Sequence, residues 1–196
     1  SFFYYNIALA YEELRKREKS AEAFMKAIEI DPNIKNADEI YNKIARYFYG
    51  KNEYDKSIEY YKKAIDFNPK NEKAYYKIAS IYKSLFQYDS TLYFLKKAIK
   101  VNPDTYFYYR DIGSIIEYKI SDLGAKITEL NESIDKNPND AISHYSLGVA
   151  YYSNKMYQQA IDSLKKANII NGSHNGAQKH LNKYIKNYQE KIQKKM

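Results

Sequence analysis

An all-α chain built from stacked helix–turn–helix units is predicted by three features of this sequence. Its four prolines fall at 32, 69, 103 and 138, spaced by 37, 34 and 35 residues, and each follows Asp31, Asn68, Asn102 or Asn137. Asp and Asn favour turns and Pro cannot continue a helix, so each such pair reads as a recurring stop. Between the stops, small residues return at the same two offsets: Ala8, Ala45, Ala79, Gly113 and Gly148, then Ala27, Ala64, Ala98, Ser133 and Ala167. Six Gly and four Pro in 196 residues are too few for a turn-rich β protein, while 44% hydrophobic and 29% charged residues are a globular composition.

Taken in order, the first unit covers 1–34, with Tyr4, Ile7, Ala8 and Tyr11 on one helix and Ser20, Phe24 and Ala27 on the next. Three extra residues, Lys35 to Ala37, precede the second unit, 38–71, which carries Tyr41, Ile44, Ala45 and Phe48, then Ser57, Tyr61 and Ala64. The third, 72–105, repeats the plan with Tyr75, Ile78, Ala79 and Tyr82, then Thr91, Leu95 and Ala98. The fourth, 106–140, is irregular. Tyr109, Ile112, Gly113 and Ile116 fit its first helix and Leu130 and Ser133 its second, but one extra residue must be absorbed between Glu117 and Ala125. Ser121 and Asp122 offer a cap for the second helix there. The fifth, 141–174, has His144, Leu147, Gly148, Tyr151, Ala160, Leu164 and Ala167, with Gly172 as its stop. Residues 175–194 read as a last polar helix with Leu181, Tyr184, Ile185 and Tyr188 along one side. The small residues let helices approach, and each large one between them stabilises by about 1.5–3 kcal/mol when fully buried. No unit can cover both of its apolar faces alone, so the units must stack.

An aromatic, two packing residues and a second aromatic on one helix, then an apolar stripe and a proline stop, resemble the tetratricopeptide repeat, W-x2-L-G-x2-Y, A-x3-F, P over about 34 residues. The resemblance covers 1–174, and 175–194 is similar to the solvating helix that ends such arrays. Tyr or His144 stands where the family pattern has Trp, and the fourth unit is loosened. The resemblance implies a right-handed α-solenoid superhelix of eleven helices, a single array over 1–196, and a non-enzymatic scaffold that holds a protein or peptide in a concave groove. In the family the first helices line that groove through their second, fifth, sixth, ninth and twelfth to thirteenth positions. These fall here on Tyr5 and Leu9; on Asn42, Lys43, Arg46 and Tyr49; and on Lys73, Tyr76, Lys77, Ser80 and Lys83. The last two units contribute Phe107, Arg110, Asp111, Ser114 and Tyr118, then Tyr145, Ser146, Val149 and Tyr152. Tyrosines with basic neighbours suit an extended peptide that carries carboxylates. Family members that hold the acidic C-terminal tails of chaperones use Lys and Asn, then Asn, then Lys and Arg on three successive first helices. Tyr5, Leu9, Lys43, Lys73 and Lys77 occupy those places, and only the last pair keeps the charge, so a chaperone tail is not the expected ligand.

The net charge of +8 points toward polyanions, but only Arg15, Arg17, Arg46 and Arg110 among 32 basic residues are arginine. Arginine makes the bidentate contacts to phosphate and guanine, so nucleic acid is the weaker expectation. The absence of Cys removes disulfides and thiolate metal sites. His144 sits at a packing position, and His174 and His180, six apart, lie on different helix faces. There is no H-E-x-x-H and no phosphate-binding glycine loop. No catalytic, cofactor-binding or metal-binding residue is therefore expected, and no cofactor. The N-x-S matches at Asn131 and Asn171 are discounted as chance. No apolar run approaches the roughly 20 residues needed to span a bilayer, and no signal peptide is visible. A soluble protein is expected, in the cytoplasm or exported. Two further functional readings stay open: a regulatory or docking domain of a larger enzyme or transcription regulator, and a nucleic-acid-binding helical repeat. Phe2, Phe3, Tyr4 and Tyr5 spread around the first helix with little of this chain to cover the first two. The expectation is that the natural chain continues upstream of Ser1, or that copies associate through these aromatics.

Overall fold

A computed structural model describes residues 1–172, 182, 185–190 and 193–194. Ten helices follow one another among described residues 1–172: α1 (Phe2–Glu13), α2 (Arg17–Ile30), α3 (Ala37–Gly50), α4 (Tyr54–Phe67), α5 (Glu72–Ser84), α6 (Tyr88–Val101), α7 (Tyr106–Lys119), α8 (Leu123–Lys136), α9 (Ala141–Ser153) and α10 (Tyr157–Asn171). Among the described residues there is no strand. Each sequence unit thus yields one pair of helices, as expected. Of the expected last helix, residues 185–190 are helical. His174, His180, Leu181 and Tyr184 lie outside the described residues.

One device turns the chain inside four of the five pairs. Arg15, Asn52, Phe86 and Lys155, at the same place in their units, adopt left-handed backbone with φ of 56°, 61°, 59° and 62°. The next amide then reaches back across the helix end: Lys16 to the Tyr11 carbonyl, Glu53 to Phe48, Gln87 to Tyr82 and Met156 to Tyr151, at 2.8–3.0 Å. This is the Schellman closure, which satisfies carbonyls the helix end leaves open. The fourth unit does without it. Ile120 keeps a φ of -86° and ψ of 116°, its amide bonds the Ile115 carbonyl at 3.1 Å, and Asp122 caps α8 by accepting from the Ala125 amide at 2.8 Å. The extra residue expected before Ala125 is taken up in that turn.

The other helix ends follow the Asx–Pro stops. Asp31 and Asn68 leave the helix with extended backbone. The side chains of Asp31, Asn68 and Asn102 accept from the amides of Asn33, Lys70 and Asp104 at 3.1–3.2 Å, wrapping the turn around each proline. Inside the pairs, the Ser20 hydroxyl donates to the Ala8 carbonyl at 3.0 Å and Ser57 to the Ala45 carbonyl at 2.8 Å. Two helices can come that close because Ala8 and Ala45 are alanines with no exposed surface.

By packing the chain divides into two compact units, Ser1–Phe94 and Leu95–Met196, with the boundary inside α6. The first unit has two linked cores. Ala8, Phe24, Ile40 and Ile44 centre one on α1, α2 and α3, and Ala45, Tyr61, Ala64 and Ile78 centre the other on α3, α4 and α5. Asp38 at the head of α3 accepts from the Asn68 and Asn71 amide groups at 2.8 and 3.2 Å, tying α3 to the turn before α5. The second unit is built around α9, where every residue from Ile142 to Ala150 is buried. A buried hydrogen bond there runs from the Asn171 amide to the Tyr109 hydroxyl at 3.0 Å. Burial is the main reason that hydroxyl holds its proton above the usual tyrosine range.

Candidate functional site

By the register of the repeat, the face expected to be the inner one is carried by α1, α3 and α5, of which α1 and α3 share the first core and α3 and α5 the second. Register alone decides which side chains escape those cores. On α3, Ile40, Ile44 and Ala45 go inward, which leaves Asn42 and Lys43 half-buried and Arg46 and Tyr49 exposed. On α5, Ala74, Ile78, Ala79 and Ile81 go inward, which leaves Lys73 and Lys77 exposed and Tyr76 and Ser80 half-buried.

Charge on this face is less free than the residue types suggest. Lys43 is ion-paired with Glu12 of α1 and also lies 5.4 Å from the centre of the Phe24 ring, so it braces α3 to the first pair. Ser80 donates its hydroxyl to the Tyr76 carbonyl of its own helix at 2.8 Å. Arg46, Lys73 and Lys77 have no carboxylate at ion-pair distance among the described residues. Burial pushes the phenol of Tyr61 up to about 12, and the positive charge of Arg46 opposes that rise. Tyr49 closes this corner, with its ring 5.8 Å from that of Tyr54. The Asn42 side-chain carbonyl, also on α3, is buried with no hydrogen-bond partner among the described residues. Helices α3 and α5 thus carry, at the expected groove positions, three cations, two phenol rings and an amide acceptor with no partner among the described residues.

The corresponding positions of the second unit are different. Arg110 is exposed but lies 3.6 Å from the Asp111 carboxylate, and Ser114 is half-buried. Tyr145 requires a correction: it has no exposed surface and meets Tyr109 edge-on at 5.4 Å. Its ring fills the core between α7 and α9, so it lines nothing a peptide could reach. Tyr152 is half-buried, and Tyr188 stacks face to face on it at 3.6 Å. Two participants escaped the sequence reading. Glu12 occupies the twelfth position of its unit, a groove position by register, so the signal was there. Tyr188 was placed only on the apolar side of a terminal helix, and no spacing says which helix it meets.

Nothing among the described residues resembles a metal centre, since no group of three or more His, Asp and Glu side chains converges there. No helix of the described residues is long and apolar enough to cross a membrane.

Comparison with known proteins gives a consistent picture. Family models described as tetratricopeptide repeat match residues 3–34, 72–105 and 129–162, and one described as TPR repeat matches 45–85. Together these spans cover well over half of the chain. They leave out 106–128, which contains the turn built without left-handed backbone. Among solved structures, a crystal structure of the MamA protein aligns with a TM-score of 0.54 at 20% identity, over 87% of this chain and 91% of that one. A crystal structure of YrrB, described as a TPR protein with an unusual peptide-binding site, aligns with a TM-score of 0.51 at 20% identity, over 89% and 88%. At such identity the likeness establishes the helical-repeat fold. Comparison with curated protein sequences gives no match.

Proposed function

The chain belongs to the tetratricopeptide repeat family, and on that ground we propose that it is a non-enzymatic scaffold that binds a partner protein through an extended, carboxylate-bearing segment. The segment lies along the inner face of α3 and α5, where Arg46, Lys73 and Lys77 anchor its acidic side chains. Tyr49 and Tyr76 supply contact area. One observation carries this reading: these three cations are exposed and have no carboxylate partner among the described residues, while their neighbour Lys43 is paired with Glu12. The likeness to YrrB supports a peptide as the ligand class only by analogy of fold.

The test is titration of the chain with fluorescein-labelled synthetic peptides of alternating Glu and Leu, or alternating Lys and Leu. The acidic peptide is expected to bind and the basic one to fail. Arg46→Glu, Lys73→Glu and Lys77→Glu together should weaken binding roughly 10- to 100-fold, the scale expected for losing several charge pairs. Lys62→Glu with Lys165→Glu, outside the inner faces and also exposed, should change it less than about twofold. Equal losses from both sets would leave only a diffuse charge attraction and overturn the site. A nucleic-acid-binding repeat would instead take a single-stranded oligonucleotide with affinity falling steeply between low and moderate salt.

A further inference from the structure

Resting on the acidic-segment reading of α3 and α5, we propose that Glu12 is a specificity-determining residue for that ligand. It holds Lys43 as an internal carboxylate and so ends the cationic face at its α1 side. Two lysines at the same place in their units show the contrast. Lys43 and Lys77 are each the sixth residue of a unit, an expected groove position. Lys77 is exposed and has no carboxylate at ion-pair distance among the described residues. Lys43 is half-buried, ion-paired with Glu12 and 5.4 Å from the centre of the Phe24 ring. An amine held on one side by a carboxylate and on another by a ring face offers a ligand carboxylate little net attraction.

The helix that supplies the carboxylate points the same way. α1 carries no Lys or Arg, and its charged residues are Glu12 and Glu13 at its C-terminal end. Its expected groove residues Tyr5 and Leu9 are half-buried and uncharged. A helix C-terminus favours cations, so Glu12 sits against the helix dipole and Lys43 is the cation that compensates it. The Glu12 and Lys43 side chains keep 36% and 28% exposure, so both can be reached from solvent. A pair this exposed adds little to stability, and its larger effect is on the charge a ligand meets. A ligand acid brought to the α1 side is repelled by Glu12 and reaches Lys43 only by displacing it. The fitting segment therefore confines its acids to the stretch over Arg46, Lys73 and Lys77 and continues toward α1 in uncharged residues.

The experiment uses the full chain and the fluorescein-labelled peptide of alternating Glu and Leu. Glu12→Gln keeps the shape of the side chain and removes its charge, and should bind the peptide about threefold or more tighter than wild type. Glu12→Gln with Lys43→Gln removes both charges of the pair and should return to within about 1.5-fold of wild type. Glu22→Gln makes the same change in net charge from an exposed place on α2 and should leave binding within about 1.5-fold of wild type. Amine acetylation read by mass spectrometry gives a second measure that needs no variant. In wild type, bound peptide should protect Lys73 and Lys77 from acetylation and leave Lys43 unchanged. A folded Glu12→Gln chain that binds no tighter, or gains no more than Glu22→Gln does, would overturn the role of Glu12 and leave the acidic-segment site standing. Protection of Lys43 equal to that of Lys77 in wild type would do the same. A wild type that ignores the peptide while Glu12→Gln binds it would support Glu12 as the gate and overturn the open site. Absence of binding to both chains would overturn site and gate together.

Discussion

At the residue scale the repeated plan lets one substitution be judged against its own counterparts. Gly148 must be glycine: a Cβ there would lie 2.6 Å from Leu164 Cγ and 3.1 Å from the Ala160 carbonyl oxygen. Gly148→Ala is expected to cost about 1–3 kcal/mol, the usual penalty for overpacking, read as a lower urea midpoint at unchanged slope. Gly50, the last residue of α3, has nothing within 4 Å of where its Cβ would be, so Gly50→Ala should be neutral or stabilise by up to about 1 kcal/mol. A loss at Gly50 as large as at Gly148 would mean that the close approach of α9 and α10 is not what Gly148 serves. Phe86 gives the opposite case. A bulky residue at φ 59° is strained, and Phe86 is 75% exposed, with an edge contact to Tyr88 at 6.5 Å. Asn52 fills the same place in the second unit, and Asn tolerates left-handed backbone. Phe86→Asn should therefore raise stability by about 0.5–1 kcal/mol in the same urea titration.

At the element scale, helix positions were legible because each is fixed by local chemistry. The Asx–Pro stops, the small residues at fixed offsets and the Asp122 cap all act within a few residues of themselves, and such signals survive in a linear string. Left-handed turns were less legible, since Arg15, Phe86 and Lys155 are not residues that announce positive φ. Only the constancy of the position betrays them, once the units are aligned. The fourth unit shows what replaces that turn. With Ile120 extended, α8 depends on Asp122 to hold its first amides, and it lacks the buried Ser that joins α2 to α1 and α4 to α3. Asp122→Ala is expected to cost about 1 kcal/mol and to speed hydrogen exchange in the first turn of α8 without touching α4. Asn71, which caps α5 through the Ala74 amide but is also tied to Asp38, should lose more when changed to Ala. If the two changes cost the same, the loosened fourth unit is not specially dependent on its cap.

At the scale of the whole molecule, the register of the repeat foretold which way side chains face but not what else faces them. Lys73 and Lys77 came out exposed because exposure follows from facing away from a local core. The pairing of Lys43 with Glu12, 31 residues earlier, depends on how two helices are offset in space, and the burial of Tyr145 depends on packing against Tyr109 of another helix. Neither is written in any short window. The same long-range burial sets how the molecule responds to alkali. Between neutrality and the isoelectric point near 9.2, the net charge falls from +8, so self-repulsion declines and stability should hold or rise slightly. Higher still, tyrosine decides. Tyr61 keeps its proton up to about 12 in the folded chain because burial disfavours the phenolate, and Tyr109 is raised in the same direction. In the unfolded chain both ionise near 10, so their contribution is complete below that pH and is lost as pH climbs toward the folded value. A rise of about two units is worth of the order of 2–3 kcal/mol for Tyr61 alone, a large share of the stability of a domain. Unfolding is therefore expected to set in between about pH 10 and 12, with tyrosinate absorbance rising in two steps: exposed rings first, then a late step coincident with loss of helical dichroism. Tyr61→Phe should weaken the pH dependence of stability in that window. A single early step that leaves the helices intact would mean that these rings are not sealed from water.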